Sequence, residues 1–212
     1  MPKTMKEHWD SVYSSQPVTQ LGWYEPQPTP SLQLIERCGM DKQEAVLDIG
    51  SGASTLINAL LEQGYENIYA LDISEIALQK ARAELGAEKA NRVQWLVEDI
   101  TQPAKAFNLS EIALWHDRAV FHFFTDPQQR QDYLTTLLRV LRPGGYVILA
   151  AFAIGGASKC SGLDIRNYDT ESLTQFLGSD FKIIESRQHT HQMPSGDLRP
   201  YVYTLFQRRK KS

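Results

Sequence analysis

Short apolar runs alternate with amphipathic stretches through most of this chain. AVLDI (45–49), NIYALD (67–72), RVQWLV (92–97), EIALW (111–115) and YVILAAF (146–152) have the length and composition of strands. Most of the segments between them place apolar residues at helical spacing. Runs that are apolar at nearly every position are buried on both faces, and a parallel sheet covered by helices on each side does this. The last two runs, FKIIESRQH (181–189) and YVYTLFQR (201–208), break the alternation. Only the turn MPSGD (193–197) lies between them, too short for a crossover helix, so they are expected to pair antiparallel at one edge. The reading is one doubly wound α/β domain with a seven-stranded sheet.

Local signals set the expected helix bounds. Thr29-Pro30 opens a helix to Cys38, with threonine as N-cap and proline at the first helical position, and Gly39 stops it. Helices are also expected over 54–64, over 74–86 behind Ser74, from Asp126-Pro127 to Leu141, and from Asp169 to Leu177. Pro143-Gly144-Gly145 should turn the chain into the strand at Tyr146. The proline-rich QPVTQLGWYEPQPTP (16–30) sets off a short amphipathic segment, Lys3–Ser14. Residues 1–28 are therefore expected to form an N-terminal flap, with the main domain over 29–212.

Composition narrows the function classes. The 212 residues suffice for one substantial core, and a net charge of -3 gives no general attraction to nucleic acid or an anionic membrane. The longest apolar run, YVILAAFAI (146–154), falls well short of the roughly 20 residues of a membrane helix. The charged start, MPKTMKEHWD, lacks the apolar core of a signal peptide. Cys38 and Cys160 are too few for a disulfide framework, so a reducing, cytoplasmic setting is expected. The basic RRKK (208–211) reads as a solvated tail.

Ligands of such sheets bind beyond the carboxyl ends of the strands. The first strand runs into LDIGSGAST, where Gly50 and Gly52 allow a tight turn and a close ligand approach. The second ends at Asp72, suited to accept from ribose hydroxyls, and the third leads to Asp99, suited to an exocyclic amine. Together these turns and acids point to an adenosine-containing cofactor. A dinucleotide calls for a third glycine and a helix N-terminus open to pyrophosphate. Here the position reads Ser54-Thr55, and Asp48 at the loop's threshold would repel a diphosphate. A carboxylate there suits a ligand with a cationic end, such as the amino group and sulfonium of S-adenosylmethionine.

The set VLDIGSGAST, LDIS, VEDI and LRPGGYVIL resembles the class I S-adenosylmethionine-dependent methyltransferases, over about residues 45–152 and more loosely the terminal strand pair. The resemblance implies strand order 3-2-1-4-5-7-6 with the last strand antiparallel. It also implies that Asp48, Gly50 and Gly52 line the methionine moiety, Asp72 the ribose, Ile73 the adenine face and Asp99 the adenine amine. Ile100, Trp23 and His116 complete the expected cofactor set. Ser54 departs from the fuller glycine pattern. WHDRAVFHFFTDPQQRQDYLTTLLRVLRPGG looks like the stretch after strand four in small bacterial members of the thiopurine methyltransferase-like branch, with one histidine inserted. That likeness makes Arg118 a clamp for the methionine carboxylate or an acidic acceptor.

Asp117 and Arg118 also admit plain pairing with each other. Asp117, His116, Tyr24 and Glu25 are the candidate bases, and His122 reads as a core histidine. HWDSVY (8–13) and LGWYEPQP (21–28) bring Trp9, Trp23 and Tyr24 into the flap, where aromatic faces suit a sulfonium. The same pairing of W-D-x-x-Y with a later W-Y/F resembles that of small bacterial methyltransferases and of some protein-lysine methyltransferases. The expected activity is methyl transfer to a small-molecule nucleophile, with a thiol favoured and a protein lysine as the alternative. Nucleic acid, membrane and metal are not expected; His189 and His191 share a strand face but lack a third ligand at suggestive spacing. Two rivals remain: a nicotinamide-dependent oxidoreductase, which lacks its third glycine and a Tyr-x-x-x-Lys, and a non-catalytic module that keeps the cofactor site.

Overall fold

The computed structural model describes residues 3–210; the first two residues of the expected flap and Lys211 of the basic tail lie outside them. Five strands follow the expected runs: β1 (Ala45–Ile49), β2 (Ile68–Asp72), β3 (Val93–Val97), β4 (Ile112–Arg118) and β5 (Leu141–Phe152). The closing hairpin is β6 (Phe181–Gln192) and β7 (Leu198–Arg208). The sheet order is β3-β2-β1-β4-β5-β7-β6. β1 to β5 are parallel, and β7 runs antiparallel to both neighbours. The expected fold and strand order are therefore present.

Helices cover both faces. On one side, α2 (Thr29–Cys38) and α3 (Leu56–Glu62) bury Leu34, Ile35, Leu56 and Leu60 against Val46, Leu114 and Ile148. On the other, α5 (Pro127–Val140) and α6 (Thr170–Leu177) bury Tyr133, Leu137 and Leu173 against Trp115 and Val147. The remaining helices are α1 (Met5–Ser15) and α4 (Glu75–Ala90).

Ser74, Asp126 and Asp169 cap α4, α5 and α6 as their side chains predict. Thr29 does not cap: Pro28 holds that place, Thr29 is the first residue of α2, and no side chain bonds there. Gly86 interrupts α4 at φ 75°, where a stop is expected, but the helix resumes to Ala90. Pro143-Gly144-Gly145 lies inside β5 instead of before it. Its turn chemistry survives as an irregularity: the pairing jumps from Ile112↔Leu141 to Leu114↔Tyr146.

β4 departs furthest from expectation. It continues past Trp115 through His116, Asp117 and Arg118. Side chains alternate across a strand, so His116 and Arg118 share the α2 face and Asp117 points to the α5 face.

The N-terminal segment lies against the carboxyl ends of the strands. A capping box of Thr4 and Glu7 starts α1. Ser74 donates to Asp10 Oδ1 at 2.7 Å, and Lys80 donates to the Tyr13 and Gln16 carbonyl oxygens. Trp9 meets Trp23 and Phe123 edge-on at 5.7 and 5.0 Å.

Candidate cofactor and acceptor site

Two cavities meet at the carboxyl ends of the strands. The larger, about 340 Å³, is lined by Gly50, Asp72, Ile73, Asp99, Ile100 and Arg118, with Trp9, Tyr13 and Trp23 from the N-terminal segment. The smaller, about 50 Å³, is lined by Trp23, Tyr24, Glu25, Asp48, His116 and Arg118, among others. Trp23, Ile49, Gly50 and Arg118 border both. The site predicted from strand ends is thus one connected region holding most of the expected residues.

The glycine turn is built as its residues require, with one difference. Gly50 and Gly52 have φ of 58° and 53°, the left-handed region. A Cβ on Gly50 would lie 2.0 Å from Val120, and one on Gly52 would lie 2.3 Å from the Tyr13 hydroxyl. The groups that approach these glycines are side chains of the protein itself. Gly52 does not line either cavity; it sits beneath Tyr13.

The three rim acids differ in how they are held. Asp72 accepts the Gly52 and Ser74 N–H groups at 2.9 and 2.8 Å. Burial outweighs these bonds and pushes its carboxyl up to about 6, with Asp48 and Asp10 adding repulsion. Asp99 takes both of its bonds from Thr101 on Oδ1. Asp48 Oδ1 lies 2.6 Å from His116 Nδ1, while its buried Oδ2 has no partner among the described residues.

His116 does not reach the larger cavity. Its Nε2 lies 2.8 Å from Ser31 Oγ, so both ring nitrogens are engaged. Both nitrogens face side chains of the protein and neither faces the larger cavity, so the structure does not bring His116 to an acceptor there as its sequence position suggested.

Asp117 is also not at the site. It is fully buried and accepts the Val120 and Phe121 N–H groups at 3.1 and 3.2 Å, and the Tyr133 hydroxyl at 2.7 Å. The strand's alternation turns it toward α5, away from both cavities, so the structure does not place it to touch an acceptor. It does not pair with Arg118 either.

Arg118 reaches the cavities but is already occupied. It donates to the Tyr203 hydroxyl at 2.8 Å and the Trp23 carbonyl at 2.9 Å. Its Nη2 lies 2.9 Å from Glu25 Oε1, close enough to pair but out of hydrogen-bond alignment. Burial alone would lower its proton affinity; Tyr203, Tyr201 and Glu25 more than offset that, and it stays charged.

Sequence reasoning missed two wall residues. Tyr13 and Val120 cover the glycine turn; Tyr13 ends the HWDSVY motif, which does not say what it covers, and Val120 has no signal beyond proximity to Asp117-Arg118. Cys160 lines the larger cavity, with its thiol pushed upward by burial. His122 is a buried core histidine, pushed down to about 3 by burial and by Arg118. His191 donates from Nε2 to the Gly22 carbonyl at 2.9 Å. Among the described residues no group of three or more His, Cys, Asp or Glu is placed to hold a metal, and no helix is long and apolar enough to cross a membrane.

A family model described as a methyltransferase domain matches residues 40–193. The chain belongs to this methyltransferase family. It is similar to EEF1A lysine methyltransferase 2 of Danio rerio, 24% identical over 159 residues, 69% of this chain and 67% of that one. The chain thus spans about two thirds of that relative's length. The fold is shared with an S-adenosylmethionine-dependent methyltransferase of Anabaena variabilis (TM-score 0.76, 17% identity, 98% and 96% of the two chains). It is shared too with 1,6-didemethyltoxoflavin-N1-methyltransferase of Burkholderia thailandensis, whose structure holds S-adenosylhomocysteine (TM-score 0.71, 18% identity, 99% and 93%). The methyltransferase's cofactor is S-adenosylmethionine, and its residues fit that group. The unpartnered Asp48 Oδ2 suits a cationic end, and the acids on β2 and after β3 suit a nucleoside rather than a diphosphate.

Proposed function

We propose that this methyltransferase acts on a small-molecule nucleophile, a thiol being the favoured class. The observation that carries the reading is the larger cavity itself. It runs from the rim acids to an apolar wall of Phe123, Cys160 and Leu163, and among the described residues Arg118, already paired with Glu25, is the sole basic side chain lining it. Such a wall favours a neutral, soft acceptor over an anion. The likeness to the thiopurine methyltransferase-like branch after strand four supports the same class.

Asp48, Asp72, Ile73, Asp99 and Ile100 would hold the cofactor, with Trp23 beside its charged end. When bound, that group supplies a methyl already activated for displacement. The protein's own contribution is alignment and exclusion of water. Trp9, Tyr13 and Trp23 act as a flap that shuts the cavity, and the rigid strand ends hold both partners in line. Positioning of this kind is worth up to about 7–11 kcal/mol in favourable cases. A thiol that arrives ionised needs no base. Tyr24 and Glu25, the other candidate bases, line only the smaller cavity, so a protonated acceptor would have to reach toward it to be relieved of its proton.

The second reading is a protein-lysine acceptor, supported by the lysine methyltransferase relative and by the paired W-D-x-x-Y and W-Y motifs of the N-terminal segment. Formation of S-adenosylhomocysteine is to be followed with a panel of small thiols, amines and hydroxyl compounds, and with a cell extract as protein substrate. Turnover with small thiols is expected. Label appearing in protein lysine, with no turnover on any small acceptor, overturns the small-molecule reading. Cofactor binding without turnover on either overturns both.

A further inference from the structure

We infer that His116 is a positioning residue for the cofactor's amino group, acting through Asp48. The inference rests on the methyltransferase reading and concerns how this chain builds one end of that site. His116 and Asp48 are direct register partners on β4 and β1. The chain Ser31 Oγ, His116 Nε2, His116 Nδ1, Asp48 Oδ1 closes with spacings of 2.8 and 2.6 Å, and all three side chains are buried.

An ionised carboxylate only accepts, so Nδ1 carries the hydrogen that Asp48 receives. In the neutral ring Nε2 then accepts from the Ser31 hydroxyl. The imidazole is fixed at both ends, and it fixes one carboxylate oxygen in turn. The other oxygen, Asp48 Oδ2, borders the small cavity without a partner, as does the Ser51 hydroxyl. An unpartnered carboxylate oxygen and an unpartnered hydroxyl at a cavity of about 50 Å³ suit a compact donor with several N–H groups, which a primary ammonium supplies. The Ser-His-Asp spacing is that of a hydrolytic relay, but Ser31 has no exposed surface at which an ester would meet it.

The relay makes a distinction that general support of the fold does not. His116→Asn keeps a donor near the Nδ1 position for Asp48. His116→Gln keeps a group near the Nε2 position for Ser31 and abandons Asp48. Calorimetric titration with S-adenosylhomocysteine and with 5′-deoxy-5′-methylthioadenosine, which lacks the amino-acid end, separates the effects. The asparagine variant is expected to bind S-adenosylhomocysteine within about twofold of the parent and the glutamine variant about tenfold more weakly, the loss of one charge-assisted bond. Both should bind methylthioadenosine unchanged, which also shows that they are folded.

Parallel loss of both ligands, or equal behaviour of the two variants, overturns the proposal while leaving the cofactor assignment intact. A parent that binds neither ligand overturns the cofactor assignment and the proposal with it. Should the variants not fold, nitrogen NMR of histidine-labelled parent protein decides. Nδ1 should be protonated, and its proton resonance should move with S-adenosylhomocysteine but not with methylthioadenosine. A protonated Nε2 with a bare Nδ1, or no response to S-adenosylhomocysteine, overturns it.

Discussion

Replacing Asp117 by asparagine separates a structural carboxylate from a catalytic one. The side chain takes two backbone N–H groups on Oδ1 and the Tyr133 hydroxyl on Oδ2. Asparagine keeps an oxygen for the amides but places an N–H against a tyrosine oxygen that already accepts from Trp115 at 2.7 Å. One hydrogen is left without an acceptor, at a cost of about 1–2 kcal/mol. The charge works in the opposite direction. Burial pushes the Asp117 carboxyl from 3.8 up to about 6, against the opposing pull of Tyr133 and the two amides. The folded protein then holds this proton more tightly than the unfolded chain does. The resulting stability is complete below about pH 4 and lost as pH rises through about 6, a change of about 3 kcal/mol.

Asparagine has no such proton to lose. Between about pH 4 and pH 7 the parent should therefore lose about 3 kcal/mol relative to the variant. Urea unfolding across this range, followed by tryptophan fluorescence, measures the difference. Asp72, raised in the same way, and His122, lowered by burial and Arg118, are present in both proteins and cancel. Stability curves that stay parallel from acid to neutral pH refute the argument. So does a variant that is stable at neutral pH yet loses more than about a hundredfold in kcat, as removal of a general base would produce.

Two further perturbations probe the glycine turn and the N-terminal segment. Gly52→Ala forces a Cβ into a left-handed position against the Tyr13 hydroxyl, costing about 1–2 kcal/mol in backbone alone; thermal unfolding should fall by several degrees and S-adenosylhomocysteine affinity should drop, and an unchanged Kd contradicts the closed arrangement. Glu25→Gln strips the largely covered Arg118 of its counter-charge and should destabilise the protein by about 3 kcal/mol in chemical denaturation, whereas a loss below about 0.5 kcal/mol would mean that the pair is solvated.

The strands were readable because both faces of the sheet are buried, which leaves continuous apolar runs such as AVLDI. The rim acids were readable because strand ends place them in register. The end of β4 was not. His116 and Asp117 are polar yet buried and Arg118 is largely covered, and what permits this lies far away in sequence, in Ser31, Asp48, Tyr133 and Glu25. No local pattern announces partners of that kind, so the strand looked as if it ended at Trp115. The place of Tyr13 over Gly52 was hidden for the same reason, since a helix pattern says which face is apolar and not what it covers.

Arg118, His191, Lys80 and Thr55 all grip the N-terminal segment by its main-chain oxygens, at Trp23, Gly22, Tyr13 and Gln16, and Glu25 respectively. Every amino acid brings that atom. These grips therefore do not depend on which side chains sit at Trp23, Gly22, Tyr13 and Gln16; at Glu25 the side chain is held as well, by Arg118. Side chains at those four positions can change without removing the main-chain anchors that seat the segment on the sheet.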